Sequence, residues 1–185
     1  MATALLVIDV QMAFVARRDA GMAWGNPVAD RSIATLLAAF RAENLPVIHV
    51  HHHGVDPRDD FHAEAAGAVV QPCAQPMAGE PVFIKHGSSG FVGTGLRQYL
   101  TDQGISGLLI VGGAANYCVE STARMAADLG YATTVVGDAL INFAQTLRGG
   151  RVMAAADVLA LTLANLEGEF AHIAVTNEIL TQIAA

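Results

Sequence analysis

The stretch Leu108-Leu-Ile-Val-Gly-Gly-Ala-Ala-Asn-Tyr-Cys-Val-Glu-Ser-Thr-Ala-Arg-Met-Ala126 decides how this chain is read. Residues 108–111 are a short apolar run of the kind that fills a parallel strand. Gly112, Gly113, Ala114 and Ala115 then leave room for tight turning and close approach of a ligand. From Tyr117 onward, Val119, Thr122, Ala123, Ala126 and Ala127 recur at helical spacing. Cys118 stands at the join, so its thiol is predicted at the positive end of a helix, where amides and dipole favour the reactive thiolate. A lone Cys in an apolar segment is ordinarily a small core residue; two further segments argue for chemistry instead.

The chain opens with Thr3-Ala-Leu-Leu-Val-Ile-Asp-Val-Gln-Met-Ala-Phe, an apolar strand pattern that carries Asp9 at its end. Midway, Glu80-Pro-Val-Phe-Ile-Lys-His-Gly-Ser-Ser-Gly-Phe-Val-Gly-Thr-Gly-Leu places Lys85 after another short apolar run. A buried acid and a buried ammonium each need a partner. Strand patterns at about 3–10, 46–52, 81–84, 107–112, 132–137 and 171–175 alternate with helical patterns at about 27–44, 94–103, 117–130, 151–166 and 176–184. That alternation predicts an α/β fold, a mostly parallel central sheet with helices on both faces. Functional groups in such sheets collect at the carboxyl ends of strands, which would bring Asp9, Lys85 and the loop before Cys118 to one crevice. Residues 15–26 and 53–80 are expected to be irregular and to shape a pocket.

At these residues the sequence resembles the isochorismatase-like cysteine hydrolases. The resemblance covers nearly the whole chain: Asp9-x-Gln-x-x-Phe, Lys85 with Ser89-Gly-Phe-Val-Gly-Thr-Gly-Leu, Cys118-Val with the later Thr-Ala-Arg and Leu-Gly-Tyr, Gly137-Asp-Ala-Leu, and Leu166-Glu-Gly-Glu-Phe-Ala. It implies a three-layer α/β/α sandwich and a catalytic triad of Asp9, Lys85 and Cys118. It further implies an oxyanion hole from the amides of Ala114 and Cys118, and a non-proline cis peptide at Gly113-Ala114. The reaction it implies is cleavage of a small amide, ureido or carbamoyl C–N bond through a thioester, without a cofactor. Ala115 stands where family members often carry Thr, and Gly90 where they often carry Ala; neither position supplies catalytic chemistry. The retained Cys separates the chain from relatives that lack it and cleave a vinyl ether without covalent catalysis. Alternatives are a nicotinamidase with a metal site and a member that has lost turnover and serves as a binding or assembly protein; the intact Asp, Lys and Cys argue against loss.

With 185 residues, 53% of them hydrophobic, and no linker-like stretch, residues 1–185 are expected to form one domain. No apolar run reaches the roughly 18 residues of a membrane span, and a net charge of −7 without a basic run disfavours nucleic acid. Positive hydropathy with few charges points to burial in a homo-oligomer, and the resemblance suggests a dimer or tetramer. Two cysteines, Cys73 and Cys118, make no disulfide framework, and a cytoplasmic location is the default expectation. The run His49-Val-His-His-His53 invites a metal, yet on a strand His49, His51 and His53 point one way and His52 the other, and the acid that metal-binding nicotinamidases carry is missing. His51 and His52 are read instead as substrate contacts, together with Phe14, Trp24, Phe91 and Tyr117. Asp138 is read as a loop-orienting residue, and His62, His86, His172 and Cys73 as structural or solvated. The Gly-rich run after Lys85 lacks the Gly-Lys-Ser/Thr ending of a phosphate loop.

Overall fold

The structure, a computed structural model, describes residues 2–184. Its strands are β1 (Ala2–Ile8), β2 (Val47–His52), β3 (Val82–Lys85), β4 (Ile105–Gly113), β5 (Ala132–Ile141), the short β6 (Gln145–Thr146) and β7 (Val152–Met153), and β8 (His172–Ala174). Its α-helices are α1 (Met12–Asp19), α2 (Ala29–Ala42), α3 (Leu96–Asp102), α4 (Glu120–Asp128), α5 (Ala155–Leu166) and α6 (Thr176–Ile183). Six strands form one sheet in the order β3-β2-β1-β4-β5-β8, every pairing parallel. β6 and β7 form a separate antiparallel pair.

Alternation along the central strands builds two cores. Leu5, Val7, Leu109 and Val111 face one side and pack with Ile33, Leu36, Leu37 and Phe40 of α2 and Ile179 of α6. Ala4, Leu6, Ile8, Leu108 and Ile110 face the other, against Leu96 and Leu100 of α3, Ala123 and Ala126 of α4, and Leu166 of α5. A strand covered on both faces has no polar side to show, which is why β1 and β4 read as unbroken apolar runs. The result is the expected three-layer α/β/α sandwich. Helix α1 occupies part of the stretch expected to be irregular, and the β6–β7 pair was not foreseen. The 53–80 stretch is irregular apart from two short 3₁₀ turns, at Ala66–Ala68 and Pro72–Ala74, and isolated bridges at Gly54, His62 and Val70.

Strand order reverses between β1 and β4, so the connections leave their carboxyl ends toward opposite faces of the sheet, at a topological switch point. Gly112 there has φ +111°, and a Cβ would lie 2.0 Å from the Ile8 carbonyl oxygen, so the strands meet this closely only because residue 112 is glycine. Gly90 is different. A Cβ there would meet Thr122 Cγ2, Val50 Cγ2 and Leu96 Cδ2 at 3.5–3.6 Å, ordinary contact distances. Gly90→Ala is therefore expected to stabilise the fold by about 0.4–1 kcal/mol, through lost freedom of the unfolded chain. The check is thermal unfolding; a lowered midpoint would contradict the packing described.

Candidate active site

Three groups that are far apart in sequence meet over the carboxyl ends of the strands. Asp9 follows β1 with φ +50°, a left-handed conformation that Asp tolerates better than most residues, and its amide donates to Val50 O at 2.8 Å. Lys85 ends β3, two strands away, and its stem carries Nζ to 2.7 Å from Asp9 Oδ2. Nζ also donates to Cys118 Sγ at 3.2 Å and to Gly87 O at 3.2 Å. Asp9 is 1% exposed and Lys85 not at all. A desolvated ion pair of this kind is a poor stabilising device compared with apolar packing, so its presence calls for a chemical reason.

Cys118 lies in a π-helical turn, Ala115–Val119, that runs directly into α4. The peptide Gly113-Ala114 before it is cis, as the resemblance implied. Two influences oppose the expected thiolate. Burial first, and then the Asp9 charge, push the Cys118 thiol up to about 12, and Lys85 offsets only part of this. Burial likewise raises Asp9 to about 6, against the lowering pull of Lys85 and of the Cys118 thiol. Burial and the Asp9 charge thus favour the neutral thiol, and Lys85 Nζ touches both Asp9 and Cys118. Asp9 Oδ1 is buried with no hydrogen-bond partner, so it remains open to take a proton. The arrangement can generate a thiolate on demand by moving one proton from Cys118 to Asp9, with Lys85 in contact with both groups.

A cleft of about 210 Å³ opens onto this centre, a size suited to a small molecule. It is lined by Asp9, Phe14, Arg17, His52, Asp59, Phe61, Ala114, Tyr117 and Cys118. Phe14, His52 and Tyr117, read from the sequence as substrate contacts, line this cleft, and Ala114 and Cys118, named for the oxyanion hole, border it. Trp24 does not: it pairs with Phe143 beneath the guanidinium of Arg18. Phe91 is 7% exposed and stacks on Tyr131 inside the second core. His51 faces away with His49, their ring centroids 6.1 Å apart, because alternation along β2 sends it to the side opposite His52.

Three lining residues escaped the sequence reading. Arg17 lies one helical turn beyond Phe14 on α1, its Cζ 5.4 Å from the Phe61 ring centroid and 5.9 Å from that of Phe14. Asp59 and Phe61 come from the long loop after β2, where Asp59 Oδ1 accepts from the Phe61 amide at 2.9 Å. The histidine run divides among separate tasks. His49 Nε2 lies 2.9 Å from Glu80 Oε2, and Glu80 also holds Arg41 at 2.7 and 2.8 Å. His52 faces Lys85, and the His53 amide donates to Lys85 O. No group of three or more His, Cys, Asp or Glu side chains converges as a metal site among the described residues.

Known proteins resemble this chain over most of its length. The family model described as the isochorismatase domain matches residues 3–163. The chain is 31% identical over 180 residues to the isochorismatase-family protein YrdC of Bacillus subtilis, covering 96% of this chain and 94% of that one. An isochorismatase-family crystal structure from Chromobacterium violaceum superposes with a TM-score of 0.93 at 35% identity, covering 99% of this chain and 94% of the other. A shorter match, 45% identical over 65 residues, is to the ureidoacrylate amidohydrolase RutB of Serratia proteamaculans, covering 35% of this chain and 26% of that one.

Proposed function

This chain belongs to the isochorismatase family of hydrolases, and from that premise we propose that it opens the C–N bond of a small amide, ureido or carbamoyl compound through a thioester on Cys118. The observation that carries the reading is the buried contact of one ammonium, Lys85 Nζ, with both Asp9 Oδ2 at 2.7 Å and Cys118 Sγ at 3.2 Å. Asp9 takes the thiol proton as the sulfur attacks the substrate carbonyl carbon, and Lys85 holds the sulfur's developing charge. The carbonyl electron pair moves to oxygen, where the amides of Ala114 and Cys118 are the proposed donors. Collapse of that intermediate expels the nitrogen, which leaves as amine or ammonia with the proton from Asp9. Asp9, again a carboxylate, then draws a proton from water as the hydroxide adds to the thioester. The acid departs and the proton returns to Cys118. The amidohydrolase RutB supports the choice of a C–N bond.

The pH dependence follows from Asp9. Its carboxylate must be ionised to accept the thiol proton, and burial raises its pKa to about 6. Values of kcat/KM are therefore expected to fall as pH drops through about 6, by about tenfold per unit below it, with the apparent constant belonging to the coupled triad. A profile flat from pH 8 to pH 5 would contradict this assignment of the base.

The test of the function is a release assay for ammonia or amine across nicotinamide, ureido acids, carbamoyl amino acids, biuret and simple aliphatic amides. Turnover of at least one C–N substrate, lost in Cys118→Ala, is the expected result. Turnover confined to ester or ether bonds would overturn the reading.

A further inference from the structure

Among the cleft side chains that the mechanism above leaves unused, His52 lies against the triad itself. It is paired in register with Lys85 on the neighbouring parallel strand, so both side chains leave the sheet on the same side. Its Nδ1 lies 3.4 Å from Lys85 Nζ. The three protons of that ammonium already reach Asp9, Cys118 and Gly87, and a fourth neighbour at this distance meets its positive charge with a lone pair more favourably than with an N–H, which favours Nδ1 as the unprotonated nitrogen. The ring's one proton is then on Nε2, the nitrogen not in contact with Lys85, on a side chain that lines the cleft. The ring is also fixed in place. Phe61 packs against it at 5.6 Å in an edge-to-face arrangement.

The backbone beneath the ring is held in an unusual way. Gln11 is fully buried; its Oε1 accepts from the His52 amide at 2.9 Å and its Nε2 donates to His52 O at 3.0 Å. That side-chain amide pairs with residue 52 as a neighbouring strand would, and its Nε2 also reaches Ala68 O at 2.9 Å. The same residue thus ties the end of β2 to the loop over the cleft. Such investment in one backbone position is characteristic of a side chain that must be aimed.

We propose that His52 is a neutral hydrogen-bond donor to the substrate, offering Nε2–H to an acceptor atom beside the scissile carbonyl, with Lys85 fixing its tautomer and Gln11 fixing its position. The substrates it favours are those with a second acceptor near the reacting carbonyl, as ureido and carbamoyl acids have and simple aliphatic amides do not. This specificity rests on the hydrolase reading; the tautomer does not. Neutrality has several sources. Burial foremost, then the Lys85 charge, bring the imidazole down to about 4; Asp59 opposes them, and His86 and His53 add to the lowering.

The experiment has two arms. Long-range ¹H–¹⁵N spectra of imidazole-labelled protein should show His52 as the Nε2–H tautomer at every pH from 5.5 to 8, and Lys85→Gln should change its ring nitrogen shifts. A His52 that titrates near 6.5, or that holds its proton on Nδ1, overturns the proposal whether or not the protein turns over. On a substrate validated in the release assay, His52→Phe keeps the ring packing but loses donor and acceptor, and kcat/KM should drop about tenfold or more, the scale of one lost hydrogen bond. His52→Gln offers an oxygen to Lys85 and an N–H to the substrate, and should recover most of that loss. Both variants should fall much less on a substrate lacking the second acceptor. Equal loss in Phe and Gln variants, or the same loss on both substrate types, overturns the proposal.

Discussion

Cys118→Ala is expected to lose at least about 10⁴-fold in turnover while unfolding within a few degrees of the wild type, because the nucleophile of a catalytic unit has no substitute. Removing Sγ takes away only one of the groups around Lys85 Nζ. Asp9 Oδ2 at 2.7 Å and Gly87 O at 3.2 Å still receive its protons, so the buried ammonium remains paired. The thiol itself is pushed up to about 12 by burial and Asp9, so it contributes no charge at rest for the fold to depend on. Turnover near the wild-type rate in this variant, measured on a substrate found by the release assay, would remove the covalent mechanism.

Asp9→Asn and Lys85→Gln are each expected to slow the chemical step by at least about 100-fold, the usual scale for a positioned proton acceptor or charge stabiliser. The two losses have different origins. Asn cannot take the thiol proton, and it leaves the ammonium without its closest charge partner. Gln cannot hold the sulfur's charge, and it leaves a 1% exposed carboxylate unpaired, which raises the Asp9 pKa still further. The acid limb in Lys85→Gln should therefore move upward from about 6, whereas Asp9→Asn should lose it. In the double variant the loss should be smaller than the product of the two single losses, because the groups act as one unit. Single-turnover rates read all three. Normal rates in both single variants would make the pair structural. Removing one partner from a buried pair commonly costs about 3–5 kcal/mol of stability, so the rates must be read at a temperature where each variant is folded.

The parts of this site that were legible in the sequence are those where a local pattern and a chemical cost coincide. Asp9 and Lys85 each follow an apolar run at a strand end, where an ionised group is expensive, and the glycines and alanines before Cys118 mark a strand-to-helix turn. Sheet order is another matter, because it depends on which runs pair, and nothing local states that β3 sits at an edge. Helix α1 escaped notice because it has only eight residues, Met12–Asp19, and begins at Gln11 without a side-chain cap. That omission cost Arg17, which shares a face with Phe14 once the helical period is known. The alternation that separates His51 from His52 was visible in the sequence, and it sufficed to exclude one of the two from the cleft. Trp24 and Phe91 were selected for size and position along the chain, yet their packing partners, Phe143 and Tyr131, are remote in sequence. Asp59 and Phe61 sit in a loop with no period at all.

The surroundings of the thiol were only partly legible. A helix start and a nearby ammonium were weighed in favour of a thiolate, but the sequence does not show how deeply the sulfur is buried or that Asp9 would lie beside it. Those two influences outweigh Lys85. In the proposed mechanism the thiol ionises as its proton moves to Asp9, which would tie nucleophile formation to substrate attack.

The thioester on Cys118 is tested most directly by partitioning. Two substrates that share an acyl group but differ in the leaving amine are hydrolysed in the presence of hydroxylamine, and the ratio of hydroxamate to free acid is measured for each. A common acyl-enzyme forgets its leaving group, so the two ratios should be identical at every hydroxylamine concentration. Ratios that differ with the leaving amine would mean that water and hydroxylamine attack the bound substrate itself, and that no acyl-enzyme on Cys118 lies on the path.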